Sequence, residues 1–401
     1  MKDNSFIQLE KGMVIIMEKI KIGIIGIGNM GTSHSKNIVD GLVPRMELSA
    51  VADLNEERRD WARTNLPEDI YIYDSGDELI SSGVCDAVII ATPHYDHPRL
   101  VIMALNAGLH AISEKPAGVY TKEVRRMNEV AKNNDKVFAM MFNQRTNHIY
   151  RKMHELVTSG VYGEIKRVNW IITDWYRSQA YYNSGGWRAT WDGEGGGVLL
   201  NQCPHNLDLL QWICGMPGKV QAFCHNGKWH DIEVEDDVTA YMEFPNGATG
   251  VFVTSTADAP GTNRFEITLE KAKIVSENNM LQVYELETNE REHCYTTKEG
   301  FRGPNGSFVE VETDGENLQH VGVFRSFVGN ILDGTPLIAR GEEGINGLLL
   351  SNAMHLSSWM SQPVTLPFDE DLFLELLDER RKNSKKKEDI EEVIFQTEGT
   401  Y

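Results

Sequence analysis

The rhythm of hydrophobic and polar positions changes once along the chain. From Lys19 to about Met141, short apolar runs alternate with segments whose apolar residues return every three or four positions. Ile20–Ile25, Glu47–Ala52, Ala87–Ala91, His110–Ser113 and Val137–Met141 read as strands. Asn29–Asp40, with Gly41 just past its end, and Glu56–Asn65 read as helices. Asp96, with Pro98 in the first turn, opens another that ends at Gly108, and Thr121 opens a fourth. Strands alternating with helices in this way predict an α/β Rossmann domain, a doubly wound parallel sheet.

After about residue 145 the strands come in series. Residues 164–174, 219–225, 237–244, 248–255, 263–276 and 280–286 fit strands, and Pro245-Asn246-Gly247 marks a turn between two of them. Helices are expected from Val198 to Cys214, and over roughly 317–332 and 340–360. This half reads as an α+β domain with a large, open, mainly antiparallel sheet. The resulting division is a disordered extension over 1–18, a dinucleotide-binding domain over 19–145, an α+β substrate and oligomerisation domain over 146–368, and a charged tail over 369–401. The tail is expected to be a solvated or frayed helix. The stretch Glu287–Asn317 shows no clear regular pattern, and a start at Met17 would put Met-Glu-Lys-Ile directly before the first strand.

Composition narrows the function classes. The 401 residues carry a formal charge of −20, which argues against a nucleic-acid backbone or an anionic membrane as main partner. No apolar run reaches the roughly 18 residues of a membrane span, and Met13–Met17 makes a poor secretory signal. Five cysteines give no disulfide framework, which fits a reducing cytoplasm. Cys203, His205, Cys224 and His225 do not match a zinc spacing, so no metal is expected.

Three motifs carry chemistry. The first is Gly26-Ile27-Gly28-Asn29-Met30-Gly31, placed after an apolar strand and opening a helix. Gly26 permits the tight turn, Gly28 lets the backbone approach a pyrophosphate, and Gly31 allows close helix–strand packing. The helix start offers N–H groups and a partial positive charge to an anion. Asp53 ends the next strand, where its carboxylate can accept from a ribose 2′-hydroxyl and repel a 2′-phosphate. NAD is therefore expected rather than NADP, although Arg58 and Arg59 stand close enough in sequence to oppose that preference.

The second motif pairs Thr92-Pro93 with Glu114-Lys115-Pro116, both at the carboxyl ends of strands, where open α/β sheets bind ligands. Thr92, Pro93, His97 and Glu114 join the cofactor candidates, with Lys115 the candidate catalytic cation. The third is Gly195-Gly196-Gly197 followed by Asn201, His205 and Asp208. The spacing i, i+4, i+7 predicts one shared helix face, and histidine is the side chain suited to moving a proton near neutrality.

Together these motifs resemble the glucose-fructose oxidoreductase/inositol dehydrogenase/rhizopine-catabolism (Gfo/Idh/MocA) family over about residues 19–365. The resemblance implies hydride exchange between a nicotinamide and a sugar or cyclitol carbon. It implies that Lys115 is catalytic and His205 the acid/base, and that Trp187-Arg188 contacts the cofactor. It also implies a homo-dimer or homo-tetramer formed through the open sheet. Asn201 departs from the family, which usually has an aspartate four residues before the histidine. Asparagine can orient an imidazole but cannot stabilise its cation by charge, leaving Asp174 or Asp208 to supply a carboxylate.

Aromatic and polar residues crowd Asp174, Tyr176, Arg177, Trp187, Arg188 and Trp191, a composition suited to sugar rings and hydroxyls. Asn143 and Arg145, just past the last parallel strand, are expected near the nicotinamide or the substrate. The leading expectation is an NAD-dependent dehydrogenase of a small-molecule sugar, glycoside or cyclitol. The alternatives are an NAD-retaining glycosidase acting by transient oxidation and a non-catalytic, cofactor-sensing regulator.

Overall fold

The computed structural model describes residues 6–10, 13–385 and 387. Its first sheet has six strands, all parallel, in the spatial order Tyr71–Tyr73, Met46–Ala52, Ile20–Ile25, Ala87–Ile90, His110–Ser113 and Phe138–Met140. The chain builds outward from Ile20–Ile25 in one direction, then crosses back and builds in the other. Ligands of such sheets sit at the carboxyl ends of the strands on either side of that reversal. Alternate side chains feed two cores: Ile22, Ile24, Ile89 and Ile112 on one face, Ile25, Val88, Ile90 and Ala111 on the other.

The second sheet has nine strands, with Ile165–Ile172 at its centre. Thr249–Ser255 runs parallel to that strand, and the other pairings are antiparallel. One face is covered: Trp170 stacks on Phe265 with ring centroids 4.0 Å apart, over Leu207 and Leu210 of the helix Pro204–Cys214. Ile171, Phe223 and Tyr241 lie exposed on the other face. The helices Gln319–Asp333 and Gly344–Met360 return to the first sheet, giving Phe324 and Phe327 to one of its cores and Leu348 and Ala353 to the other. The two sheets are thereby tied by shared apolar cores rather than by a free linker.

Four expectations are corrected. Part of the extension read as disordered forms two paired strands, Phe6–Glu10 antiparallel with Met13–Met17; both runs are rich in residues that favour strands. The charged tail begins as a docked helix, Glu370–Lys382, rather than a frayed one. Asp369 caps it, and Phe373 and Leu377, spaced to share one helical face, are buried while the charges take the other. Residues 388–401 lie outside the described residues. Segment 287–317 holds the helix Glu290–Thr296 and the edge strand Gly306–Val309. Finally, 263–276 is two strands, Asn263–Leu269 and Ala272–Glu277, not one.

Candidate active site

The glycine turn is shaped by contacts that leave no room for side chains, with one exception. Gly26 has φ +91°, and a Cβ there would stand 2.6 Å from the Ala91 carbonyl oxygen. A Cβ on Gly31 would stand 1.8 Å from the Gly26 oxygen. Gly28 is different: no protein atom lies within 4 Å of where its Cβ would be. That opening lies at the start of the helix Asn29–Val39, whose first turn receives no side-chain cap. An open cradle against uncapped N–H groups fits a pyrophosphate.

Asp53 braces the turn. One carboxylate oxygen accepts from the Ile27 N–H at 2.6 Å and the other from the Asn55 N–H at 2.9 Å. Arg59 is buried and spends its guanidinium on the Asp53 and Leu54 carbonyls, at 2.7 and 2.9 Å. It is not free to reach a 2′-phosphate. Arg58 is half-buried.

Across the sheet reversal, the Thr92 hydroxyl is buried without a partner. Glu114 accepts from His34 at 2.7 Å. Burial opposes its charge, but the His34 bond, with the Lys115 cation nearby, holds its carboxyl down at about 2. Lys115 is half-buried and donates from Nζ to the Asn201 carbonyl at 2.8 Å. Burial lowers its pKa, Arg177 and Arg188 add to that, and Glu114 and Glu194 oppose it.

His205 is 3% exposed, and neither ring nitrogen has a partner. A buried imidazole with both nitrogens unsatisfied is costly, and such a group needs a reason. Burial, reinforced by the Lys115 charge, holds its pKa well below the usual histidine value, so it is neutral at pH 7. The backbone before it is fixed by Glu235, whose carboxylate accepts from the Gly197 and Leu199 N–H groups at 2.9 and 3.0 Å.

Two family models match. "Oxidoreductase family, NAD-binding Rossmann fold" covers residues 20–142, and "GFO/IDH/MocA C-terminal domain" covers 150–275. The chain belongs to the GFO/IDH/MocA family. It is 26% identical over 342 residues to a myo-inositol 2-dehydrogenase of Thermotoga maritima, spanning 83% of this chain and 95% of that one. It is 28% identical over 195 residues to a D-glucoside 3-dehydrogenase of Escherichia coli, spanning 44% of this chain and about half (53%) of that enzyme. The crystal structure of the WlbA dehydrogenase from Bordetella pertussis, a complex with NADH and UDP-GlcNAcA, superposes with a TM-score of 0.73. It is 24% identical, with 88% of this chain and 100% of that chain covered, and it shows the shared fold. This GFO/IDH/MocA chain is an NAD-dependent oxidoreductase, a dehydrogenase acting on CH–OH groups.

Some residues singled out in the sequence stand elsewhere. Asn201 is not on the helix with His205: the helix starts at Pro204, whose ring suits a first-turn position, and Asn201 lies in the turn before it. Arg145 is 1% exposed and grips Asp208 through two bonds of 2.8 and 2.7 Å, with Glu343 on its other side. This is a buried structural ion pair, so neither residue is open to a substrate, and Asp208 is not the missing carboxylate. Trp191 is buried against His355 and Trp359, its N–H donating to the Glu233 carbonyl at 2.9 Å. His97 sits between the Pro116 and Thr92 carbonyls, 2.7 Å from Nδ1 and 2.8 Å from Nε2, and its one N–H donates to one of them. It braces the two strand ends and offers nothing to a cofactor.

Others remain available to ligands. Asn143 donates to Gln319 and keeps its Oδ1 buried and unpartnered. Tyr176 and Asp174 are exposed. Arg188 lies over the Trp187 and Tyr181 rings at 4.7 and 4.6 Å, and Arg177 over Tyr181 at 5.1 Å. Two residues of the site were missed. His94 meets the Glu194 carbonyl at 3.2 Å and the Trp187 ring edge-on at 5.6 Å. Glu194 is buried and bonded to Asn201. An acid set between Gly193 and Gly195, inside a run that otherwise buries, was the available signal. Among the described residues, no group of three or more His, Cys, Asp or Glu side chains is arranged to hold a metal.

Proposed function

We propose that this oxidoreductase acts on a secondary alcohol of a sugar, glycoside or cyclitol, forming the ketone or running the reverse reaction. The carrying observation is His205: buried, neutral, without a partner on either nitrogen, and within the electrostatic reach of Lys115. The relatives named for inositol and for D-glucoside support that substrate class. NAD, when bound, accepts or supplies the hydride. Gly26, Gly28, Asn29, Met30, Gly31 and Asp53 would hold its phosphates and ribose. Thr92, Pro93, Asn143, Trp187, Arg188 and Arg58 would complete its site.

His205 takes the proton from the substrate hydroxyl, which a neutral imidazole can do at pH 7. Lys115 donates a hydrogen bond to the oxygen as negative charge develops there. Asn201 offers its amide to a substrate hydroxyl, and Asp174, Tyr176 and Arg177 line the approach. The exposed Ile171, Phe223 and Tyr241 support a homo-dimer or homo-tetramer closed through the nine-stranded sheet. Five free thiols and a dependence on NAD support a cytoplasmic setting.

Absorbance of NADH, followed with purified protein, NAD⁺ and a panel of monosaccharides, glycosides and cyclitols, tests the reading. Sustained NADH formation with one substrate class supports it. Cleavage of a nitrophenyl glycoside without net NADH replaces it with a glycosidase that retains its cofactor.

A further inference from the structure

Glu194 is 2% exposed and lies between Trp191 and the Gly195-Gly196-Gly197 run. One of its carboxylate oxygens accepts from the Asn201 side-chain NH₂, and the other from the Ala189 N–H at 2.5 Å. A carboxylate can only accept, so the Asn201 amide has one permitted orientation: Nδ2 toward Glu194 and Oδ1 away from it. The main chain of the same asparagine receives Lys115, at 2.8 Å. Asn201 is thus clamped between the acid and the lysine, through its side chain to one and its carbonyl to the other.

The resemblance noted in the sequence would put an aspartate at position 201. Here that substitution would press two carboxylates together in a buried site, where both cannot stay ionised. The charge and the amide have changed places. We propose that Glu194 is the positioning residue of this active site. It fixes Asn201 with Oδ1 turned out to accept from a substrate hydroxyl, and it supplies the negative charge beside Lys115 that an aspartate at 201 would otherwise carry. The first role rests on the dehydrogenase reading above, and the second does not.

Burial pushes the Glu194 carboxyl up, while Arg188 and the Ala189 and Asn201 hydrogen bonds hold it down; the charges facing it are Lys115, Arg188, Lys387 and Glu235. Lys115 also faces Glu114 and Arg177, and the histidines at 94, 205 and 320 around it are kept neutral by burial. Removing the negative charge at 194 therefore leaves Lys115 among cations with one fewer counter-charge. Its ammonium form weakens, and more neutral amine is present at a given pH.

The experiment uses the full chain with three changes: Glu194→Gln, Asn201→Asp and both together. Its first readout needs no turnover. Lys115 is labelled competitively with acetic anhydride over a range of pH, and its acetylation is followed by mass spectrometry. Glu194→Gln is expected to raise Lys115 reactivity near neutrality by about tenfold, the effect of a one-unit fall in pKa. The double variant is expected to return it to within about threefold of the parent, because one unit of charge is restored. The second readout is NADH formation with myo-inositol and methyl glucosides. Each single variant is expected to lose about tenfold or more in kcat, and the double variant to recover, with NADH affinity unchanged throughout.

Unchanged labelling in Glu194→Gln, or a folded double variant that recovers neither readout, overturns the proposal. If Glu194→Gln does not fold, Asn201→Asp alone decides: parent-level kcat there overturns it, and a loss supports it. If the parent turns over neither probe while labelling follows the expected pattern, the substrate reading fails and the charge assigned to Glu194 stands.

Discussion

The glycine turn at residues 26–31 and the loop from Trp187 to Asn201 are built on opposite plans. The turn is made of backbone. Gly26 and Gly31 are fixed by contacts that exclude a side chain, and Gly28 is left open. The loop is made of side chains. It brings an acid, an amide, an arginine and the Trp187 ring to a place that no local rule specifies. A backbone-built site shows itself through residues that only one conformation accepts. A side-chain-built site shows itself only when the chain has closed on partners far away in sequence.

The largest expected effect is on the side-chain plan. Lys115→Ala should lower kcat by about 10²–10⁴-fold, the range for a positioned proton-donating or accepting group. NADH affinity, measured by fluorescence, should not change, and parent-level turnover would break the assignment. Asp208→Asn should leave the Arg145 charge buried beside a neutral amide and lower the free energy of unfolding by about 3–5 kcal/mol. Denaturant titration measures this, and KM should stay near the parent value. A folded, stable variant with a large rise in KM would return Arg145 to the substrate side.

Next come tests of the backbone plan. Gly28→Ala should leave the melting temperature near the parent value, since its Cβ would meet no protein atom within 4 Å. It should nonetheless weaken NADH binding about tenfold or more, roughly 1.4 kcal/mol. Unchanged affinity would mean that the opening at Gly28 is not where the cofactor approaches. Asp53→Asn should lower the preference for NAD over NADP by about tenfold by removing the charge that repels a 2′-phosphate. The ratio of the two affinities reports it.

The smallest effect per step is on pH. Burial lowers the pKa values of His94, His97 and His205, and that of His320 to about 4. The unfolded chain takes up those protons near pH 6.5, while the native state refuses them. Stability is therefore full above about 6.5 and falls as the pH drops from there toward 4, by at most about 1.4 kcal/mol per unit for each group. Thermal melts across that range should decline monotonically, and a flat profile would contradict the buried, neutral state of these rings.

The parallel sheet, the glycine turn and the Glu114-Lys115-Pro116 strand end were legible because period, glycine placement and strand ends are local properties. The docked helix Glu370–Lys382 was obscured by its charges. Of its five apolar residues only Phe373 and Leu377 are buried, and only the groove that receives them shows which two matter. Arg145 and Trp191 have the composition of ligand contacts, yet Asp208 and Trp359 claim them from positions 63 and 168 residues away. Glu194 gave the converse error. An acid between glycines shows no role of its own until Asn201 and Ala189 fold onto it.

The central claim is that this cleft moves a hydride from a substrate carbon to NAD under the control of Lys115 and His205. It is tested most directly by presenting the active member of the sugar panel with deuterium on its carbinol carbons and weighing the NADH formed. The account predicts NADH carrying one deuterium, formed in step with the keto product. NADH without deuterium, or glycoside cleavage with no NADH released, would contradict it.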